Sequence, residues 1–382
     1  EGDANFWGAP QEGDDAYDVI EWMAARPWSN GKIGMTGVSY FAHIQWRAAA
    51  ARPPHLAAIN PWEGYRDAYR ECAVHGGIPD AFTRVWQTTS QWSNGTVEDV
   101  MAMVETHPMF DEYWASKVAD ISEVDIPAYI VASWSDQGLH TRGTIGAFND
   151  LRSKDKWLEV HGRKKWEYYY RPESLNRLKI FFDHYLKGID RGIELWPRVR
   201  IEVREAFYEG KERDEQEWPL ERTQPVTLYL NAKAGALTEA LPSEEAAISY
   251  NVNPAFAGSA YRDERAEFNY QFQGATEITG PMKLKLWVEA QGADDMDLFV
   301  AVQKFDCDGN YVGFAYFSAQ EDGPVALGWL RVSHRALDPV RSTSFQPRHL
   351  HDREEKLKVG EIVSIEIEIW PSSTLFQSLE RL

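Results

Sequence analysis

The run Gly37-Val38-Ser39-Tyr40-Phe41 fits the first four positions of the Gly-x-Ser-x-Gly pattern, with Phe41 where the last glycine would stand. A serine held on a sharp turn between a buried strand and a helix exposes its Oγ above a sheet, where it can attack an acyl carbon. The helix start serves the same reaction. The backbone N–H of Tyr40 can donate to an oxyanion, and the helix dipole adds partial positive charge there. A bare Gly-x-Ser is common, and its ordinary use is a helix N-cap. Here its flanks read as strand on one side and helix on the other, which favours the nucleophile. The missing second glycine bears on packing rather than on chemistry.

A nucleophilic serine needs a base, and the base needs a carboxylate to orient it; on this kind of turn the chain order is Ser, then Asp or Glu, then His. Asp136, in Trp134-Ser135-Asp136-Gln137-Gly138, follows a strand ending near Ser133. His161, in Val160-His161-Gly162, follows a strand ending at Val160. Order and placement predict a Ser39–Asp136–His161 triad. His140 is the rival base, near Asp136 but at the start of a helix. A single histidine is more often a packed core residue, and only joint placement with Ser39 and Asp136 sets His161 apart. His184 reads as a packing residue on a late helix. Trp62, Tyr65, Trp86 and Trp92 are expected to line an acyl pocket, with Trp134 near the triad; core packing is the ordinary reading of each. Glu63, Asp67 and Glu71 could hold a substrate amino group by charge-assisted hydrogen bonds, although a solvated helix face explains them equally well.

Positioning these groups requires alternating strands and helices. Apolar residues at Ala16, Val19, Ile20 and Met23 have helical spacing between Asp14 and Arg26, with Pro27 as the stop. After the Asn30-Gly31 turn, Lys32 to Gly37 reads as a buried strand, Tyr40 to Ala51 as a helix, and Ala57 to Pro61 as a strand. Between Pro61 and Asp125 the chain turns rich in Trp, Tyr and helix formers with no clear strand, which reads as an inserted helical cap. Strands return at Ile126–Ser133 and Lys156–Val160, with helices at Thr141–Leu151 and Pro172–Leu186, the last closed by Lys187-Gly188. The charged section Leu195–Arg222 reads as a connector. Beyond Pro225 short alternating runs (Val226–Leu230, Met282–Val288, Leu298–Phe305, Ile362–Trp370) are separated by turn residues. The expectation is an α/β fold: an α/β-hydrolase domain over residues 1–60 and 126–195, a cap over 61–125, and a C-terminal jelly-roll β-sandwich over 225–382.

Composition narrows the class. The 382 residues are 43% hydrophobic and 26% charged, as in globular chains, and no apolar run is long enough to span a membrane. A net charge of −19 repels phosphate backbones and argues against nucleic acid as a partner. Cys72 and Cys307 lie far apart, without the spacing of a disulfide framework or a zinc site. The chain starts without Met, and Glu1 to Gly8 reads as a loop. The end falls just after a strand-like run, so both ends are expected to be cuts within a larger protein. A cytoplasmic location is expected, or a secreted one if a signal peptide lies upstream. A homo-oligomer stays open.

At these residues the sequence resembles the cocaine esterase / X-Pro dipeptidyl-peptidase family of serine hydrolases, which includes α-amino-acid ester hydrolases. The matching stretches are Ile20-Glu21-Trp22, the run from Pro27 to Tyr40, Ser133 to Asp136, Phe181 to Gly188, Thr279-Gly280-Pro281 and Asp294 to Leu298. The resemblance implies ester or amide cleavage through an acyl-enzyme with no cofactor, on a small-molecule ester or peptide substrate. It implies Ser39 as nucleophile, Asp136 as orienting acid and Tyr40 as one oxyanion donor. Many members carry the catalytic His in Gly-Pro-Trp-x-His, whereas Val160-His161-Gly162-Arg163 stands in that region here. The family's second oxyanion donor, a Tyr hydroxyl, precedes the nucleophile; Tyr17 does not match its context, so that donor is expected upstream of Glu1. Acyl or α-amino-acid esters are the first expected substrates and Xaa-Pro dipeptides the second. A catalytically inactive protein binding through its jelly roll is the alternative from another class.

Overall fold

The computed structural model describes residues 3–89, 95–252, 265–317 and 320–382. Helix α1 (Pro10–Ala24) leads into β1 (Ile33–Val38), α2 (Tyr40–Ala51) and β2 (Leu56–Trp62). A π-helical turn (Tyr69–Ala73), a small hairpin of β3 (Val74–His75) and β4 (Ile78–Pro79), and helices α3 (Ala81–Thr89), α4 (Val100–Thr106) and α5 (Glu112–Ser116) follow. Then come β5 (Ala128–Ser133), α6 (Thr141–Asp150), β6 (Lys156–His161), α7 (Lys165–Tyr169) and α8 (Pro172–Lys187). The strands β1, β2, β5 and β6 lie side by side and parallel.

The sheet is covered on both faces, and residue parity decides which side chain meets which helix. On β5, Ala128, Ile130 and Ala132 join a core with Ile20 of α1, Trp46 and Ala49 of α2, and Ile145 and Phe148 of α6. Tyr129 and Val131 point the other way, into a second core with Leu178 and Phe181 of α8. This two-sided burial explains why β5 is apolar throughout rather than alternating. Pro172 opens α8, and Gly188 closes it in the left-handed conformation, donating to the His184 carbonyl at 3.0 Å.

The section expected to be a connector is instead two strands. β7 (Val199–Ala206) pairs parallel with β6, and β8 (Glu209–Glu215) pairs antiparallel with β7. Its charges concealed the strand because two of them are buried against distant partners. Glu202 takes Arg163 at 2.7 Å, and Arg204 donates to Ser372 Oγ at 2.7 Å and to the Val325 carbonyl at 2.9 Å.

The C-terminal region is antiparallel. It contains β9 (Tyr229–Asn231), β10 (Ala236–Thr238), β11 (Thr276–Val288), β12 (Asp297–Val302), β13 (Lys304–Phe305) and β14 (Tyr311–Val312). After these come β15 (Phe314–Tyr316), β16 (Gln320–Gly323), β17 (Ala326–Arg331) and β18 (Val363–Phe376). The long ladder of β11 on β18 and the pair β12–β17 carry most of it. Thr374 of β18 meets Arg204 of β7, so the ladder extends the ten-stranded sheet. Among the described residues no helix is long and apolar enough to cross a membrane.

Candidate active site

Ser39 stands between β1 and α2 with φ 63° and ψ −116°, a conformation that costs a non-glycine residue energy and is kept where the fold enforces it. Its N–H donates to the Trp62 carbonyl at 3.0 Å, which ties the turn to β2. Its hydroxyl caps none of the α2 N–H groups, so the ordinary use of a serine at a helix start is not made here. The turn is tight enough that a Cβ on Gly37 would come within 2.4 Å of Phe41 Cβ. Phe41 itself is exposed. The glycine kept from the pattern is therefore the one the close approach demands, and the replaced one faces solvent.

The imidazole at Ser39 is that of His140, with Nε2 3.3 Å from Oγ. The loop after β5 coils back on itself, with Leu139 and His140 N–H groups donating to the Asp136 carbonyl and Thr141 Oγ1 donating to the Ser133 carbonyl at 2.8 Å. Gly138 takes a positive φ within that coil. Residues four apart on such a turn share a face, and His140 Nδ1 is hydrogen-bonded to Asp136 Oδ2. Ser39, His140 and Asp136 thus form one chain of contacts.

His161 does not reach Ser39. Val38 lies opposite Trp62, Trp62 opposite Val131, and Ser133 opposite His161 across the parallel strands. Three strand spacings of ~4.8 Å separate the ends of β1 and β6 by roughly 14 Å. The His161 ring stacks on Tyr168 instead, and Nε2 faces Glu63 Oε1 at 3.1 Å. The imidazole beside Ser39 is therefore not the expected one, because the loop after β5 carries His140 to Ser39, whereas His161 stays at the end of its own strand. The signal for His140 was in the sequence: Asp136 and His140 have helical spacing just before a helix.

Burial alone would raise the Asp136 carboxyl, but the Lys165 ammonium and His140 beside it outweigh burial and hold it below the usual carboxylate range. Lys165 Nζ lies 2.5 Å from Asp136 Oδ2 and 3.1 Å from His140 Nδ1. His140 is lowered, first by burial and next by the Lys165 charge, so the neutral imidazole that can accept a proton is favoured. Behind it, burial lowers His43 to about 3. The Tyr65 ring stacks on His43 and on His140.

A small cleft opens beside Ser39, walled by Trp7, Tyr40, Tyr65, Cys72, Phe82, Trp86, Leu139 and His140. Tyr65 and Trp86 both line this cleft. The Trp86 ring stacks on Tyr40, whose hydroxyl is hydrogen-bonded to Glu12. Trp62 and Trp134 are core residues, both without exposed surface. Trp62 ends β2 and packs on Tyr129 and Tyr169, and Trp134 Nε1 donates to the Glu202 carbonyl at 2.8 Å. Trp92 lies outside the described residues. The carboxylates proposed for an amino group are buried and engaged. Glu63 faces His161 and accepts from Ser133 Oγ at 2.8 Å, Asp67 takes Arg70 at 2.8 Å, and Glu71 takes Arg142 at 2.8 Å. Among the described residues no group of three or more His, Cys, Asp or Glu side chains is set to hold a metal ion.

Residues 1–94 match the X-Pro dipeptidyl-peptidase (S15) family, and residues 191–382 match the X-Pro dipeptidyl-peptidase C-terminal non-catalytic domain. A crystal structure of a CocE/NonD family hydrolase from Staphylococcus aureus is 44% identical, with a TM-score of 0.95 over 99% of this chain and 68% of that one. The chain belongs to this hydrolase family. Cocaine esterase of Rhodococcus sp. (strain MB1 Bresler) is 26% identical over 310 residues, 63% of this chain and 53% of its own length. A putative Xaa-Pro dipeptidyl-peptidase of Bacillus anthracis is 23% identical over 270 residues, 59% of this chain and 43% of its own. The chain thus spans about half the length of the curated relatives it matches. The family's α/β-hydrolase architecture agrees with the parallel sheet and its helices, as expected from the sequence.

Proposed function

We propose that this chain carries the catalytic centre of a serine esterase that cleaves esters of small acyl groups, with Ser39, His140 and Asp136 as its triad. The observation that carries the reading is the strained Ser39 with its Oγ 3.3 Å from His140 Nε2, the far nitrogen of that ring being bound to Asp136. His140 takes the Ser39 proton as Oγ attacks the acyl carbon, and returns it to the departing alcohol. Water then attacks the acyl-enzyme, giving its proton to His140, which passes it to Ser39 as the acid leaves. The Tyr40 N–H belongs to the first turn of α2, where N–H groups lack intrahelical acceptors, and is the oxyanion donor of this scheme.

An aromatic, narrow cleft supports a small apolar acyl group as its occupant. Release of Xaa-Pro dipeptides is the weaker reading, because the carboxylates that could bind a free amino terminus (Glu63, Asp67 and Glu71) already have cationic or hydroxyl partners. The antiparallel ladders beyond residue 225, within the match to a non-catalytic domain, support a jelly roll there. A panel of p-nitrophenyl acetate, butyrate and octanoate with Gly-Pro-p-nitroanilide tests the substrate class. Acetate or butyrate should turn over fastest, and a preference for the anilide would contradict the proposal.

A further inference from the structure

We infer that Lys165 is a positioning residue of this centre, holding Asp136 in place and setting the pH at which His140 can act as a base. The inference rests on the triad proposed above. Lys165 opens α7, a different element from the loop that carries Asp136 and His140, and its side chain is nearly inaccessible. Its Nζ touches Asp136 Oδ2, the oxygen that also binds His140, at 2.5 Å and stands 3.1 Å from His140 Nδ1. A second carboxylate, Glu63 Oε2, lies 4.0 Å away, farther than Asp136. A buried ammonium is costly unless paired, and this one is paired with the orienting acid rather than with a carboxylate outside the site.

The other titratable groups around the pair are few. His43 from α2 and the Tyr65 ring pack behind His140, and Glu63 acts on it from the end of β2. Cys72 and Tyr316 face Asp136 from the π-helical turn and from β15. Among them Lys165 is the nearest cation. Its charge opposes the imidazolium and shares Asp136, so both effects favour neutral His140. Its removal should make His140 easier to protonate.

The test follows kcat and KM for p-nitrophenyl acetate against pH, with active enzyme counted by fluorophosphonate titration. In Lys165→Met the acidic limb of kcat/KM should move up by about one pH unit, and the plateau kcat should fall about tenfold or more with KM little changed. In Lys165→Arg, which keeps the charge and is the safer variant to fold, the limb should stay near its wild-type position. An unmoved limb in Lys165→Met would overturn the inference, as would an equal shift in Lys165→Arg. Wild-type enzyme that takes up no fluorophosphonate would instead remove the triad reading itself.

Discussion

Two histidines compete for one role, and their partners separate them. His140 sits between a hydroxyl and a carboxylate, whereas His161 sits between a tyrosine ring and a buried glutamate. His140→Ala should therefore lower kcat for p-nitrophenyl acetate by about three orders of magnitude or more, since triad members act as a unit. His161→Ala should keep the chemistry but lose about 3 kcal/mol of stability, because removing a buried ring stacked on Tyr168 leaves a cavity; thermal denaturation and the same kinetic assay separate the two. The pH dependence follows from His140 as well. Burial and the Lys165 charge lower it, so the acidic limb of wild-type kcat/KM should fall below the ordinary imidazole value of about 6.5. Asp136 is also lowered, which has a separate consequence for folding. Its stabilising contribution is complete above about pH 4, its ordinary value, and is lost as pH falls toward the folded one.

At the scale of elements, the sequence showed most of what positions Ser39. The strand ending at Val38, the helix from Tyr40 and the proline and glycine limits of α8 were all legible, because burial period and stop signals agree there. Two things were not. β7 was hidden by Glu202 and Arg204, charges whose partners come from Arg163 and from residues more than a hundred positions away, which no local pattern displays. The direction of the loop after β5 was hidden too: placement at a strand end favoured His161, and the helical spacing of Asp136 and His140 did not show that their loop brings His140 to Ser39. Phe41 explains the tight turn from the other side. Gly37→Ala would place a Cβ 2.4 Å from Phe41 Cβ, which should cost about 1–3 kcal/mol and slow acylation by shifting Ser39. Chemical denaturation with the esterase assay checks both.

Across the whole molecule, the C-terminal region braces the loop that carries Asp136 and His140. Arg142, two residues past His140, grips Glu368 of β18 at 3.0 Å and Glu71 of the π-helical turn at 2.8 Å. Gln137 Nε2 donates to the Pro371 carbonyl at 2.9 Å, and the Phe317 N–H donates to the Ser135 carbonyl at 2.7 Å. Far-apart stretches of sequence therefore fix one loop, a relation invisible in the sequence because each partner is a lone charged or polar residue. Arg142→Ala leaves two carboxylates without their guanidinium and should cost about 3–5 kcal/mol, read as a lower midpoint in urea.

The nucleophile and base are tested together by mass spectrometry of the fluorophosphonate adduct. Wild-type protein should carry one adduct on the peptide containing Ser39, His161→Ala should still carry it, His140→Ala should form it far more slowly, and Ser39→Ala should not form it at all. An adduct that persists in Ser39→Ala, or one that depends on His161 rather than His140, would contradict the account.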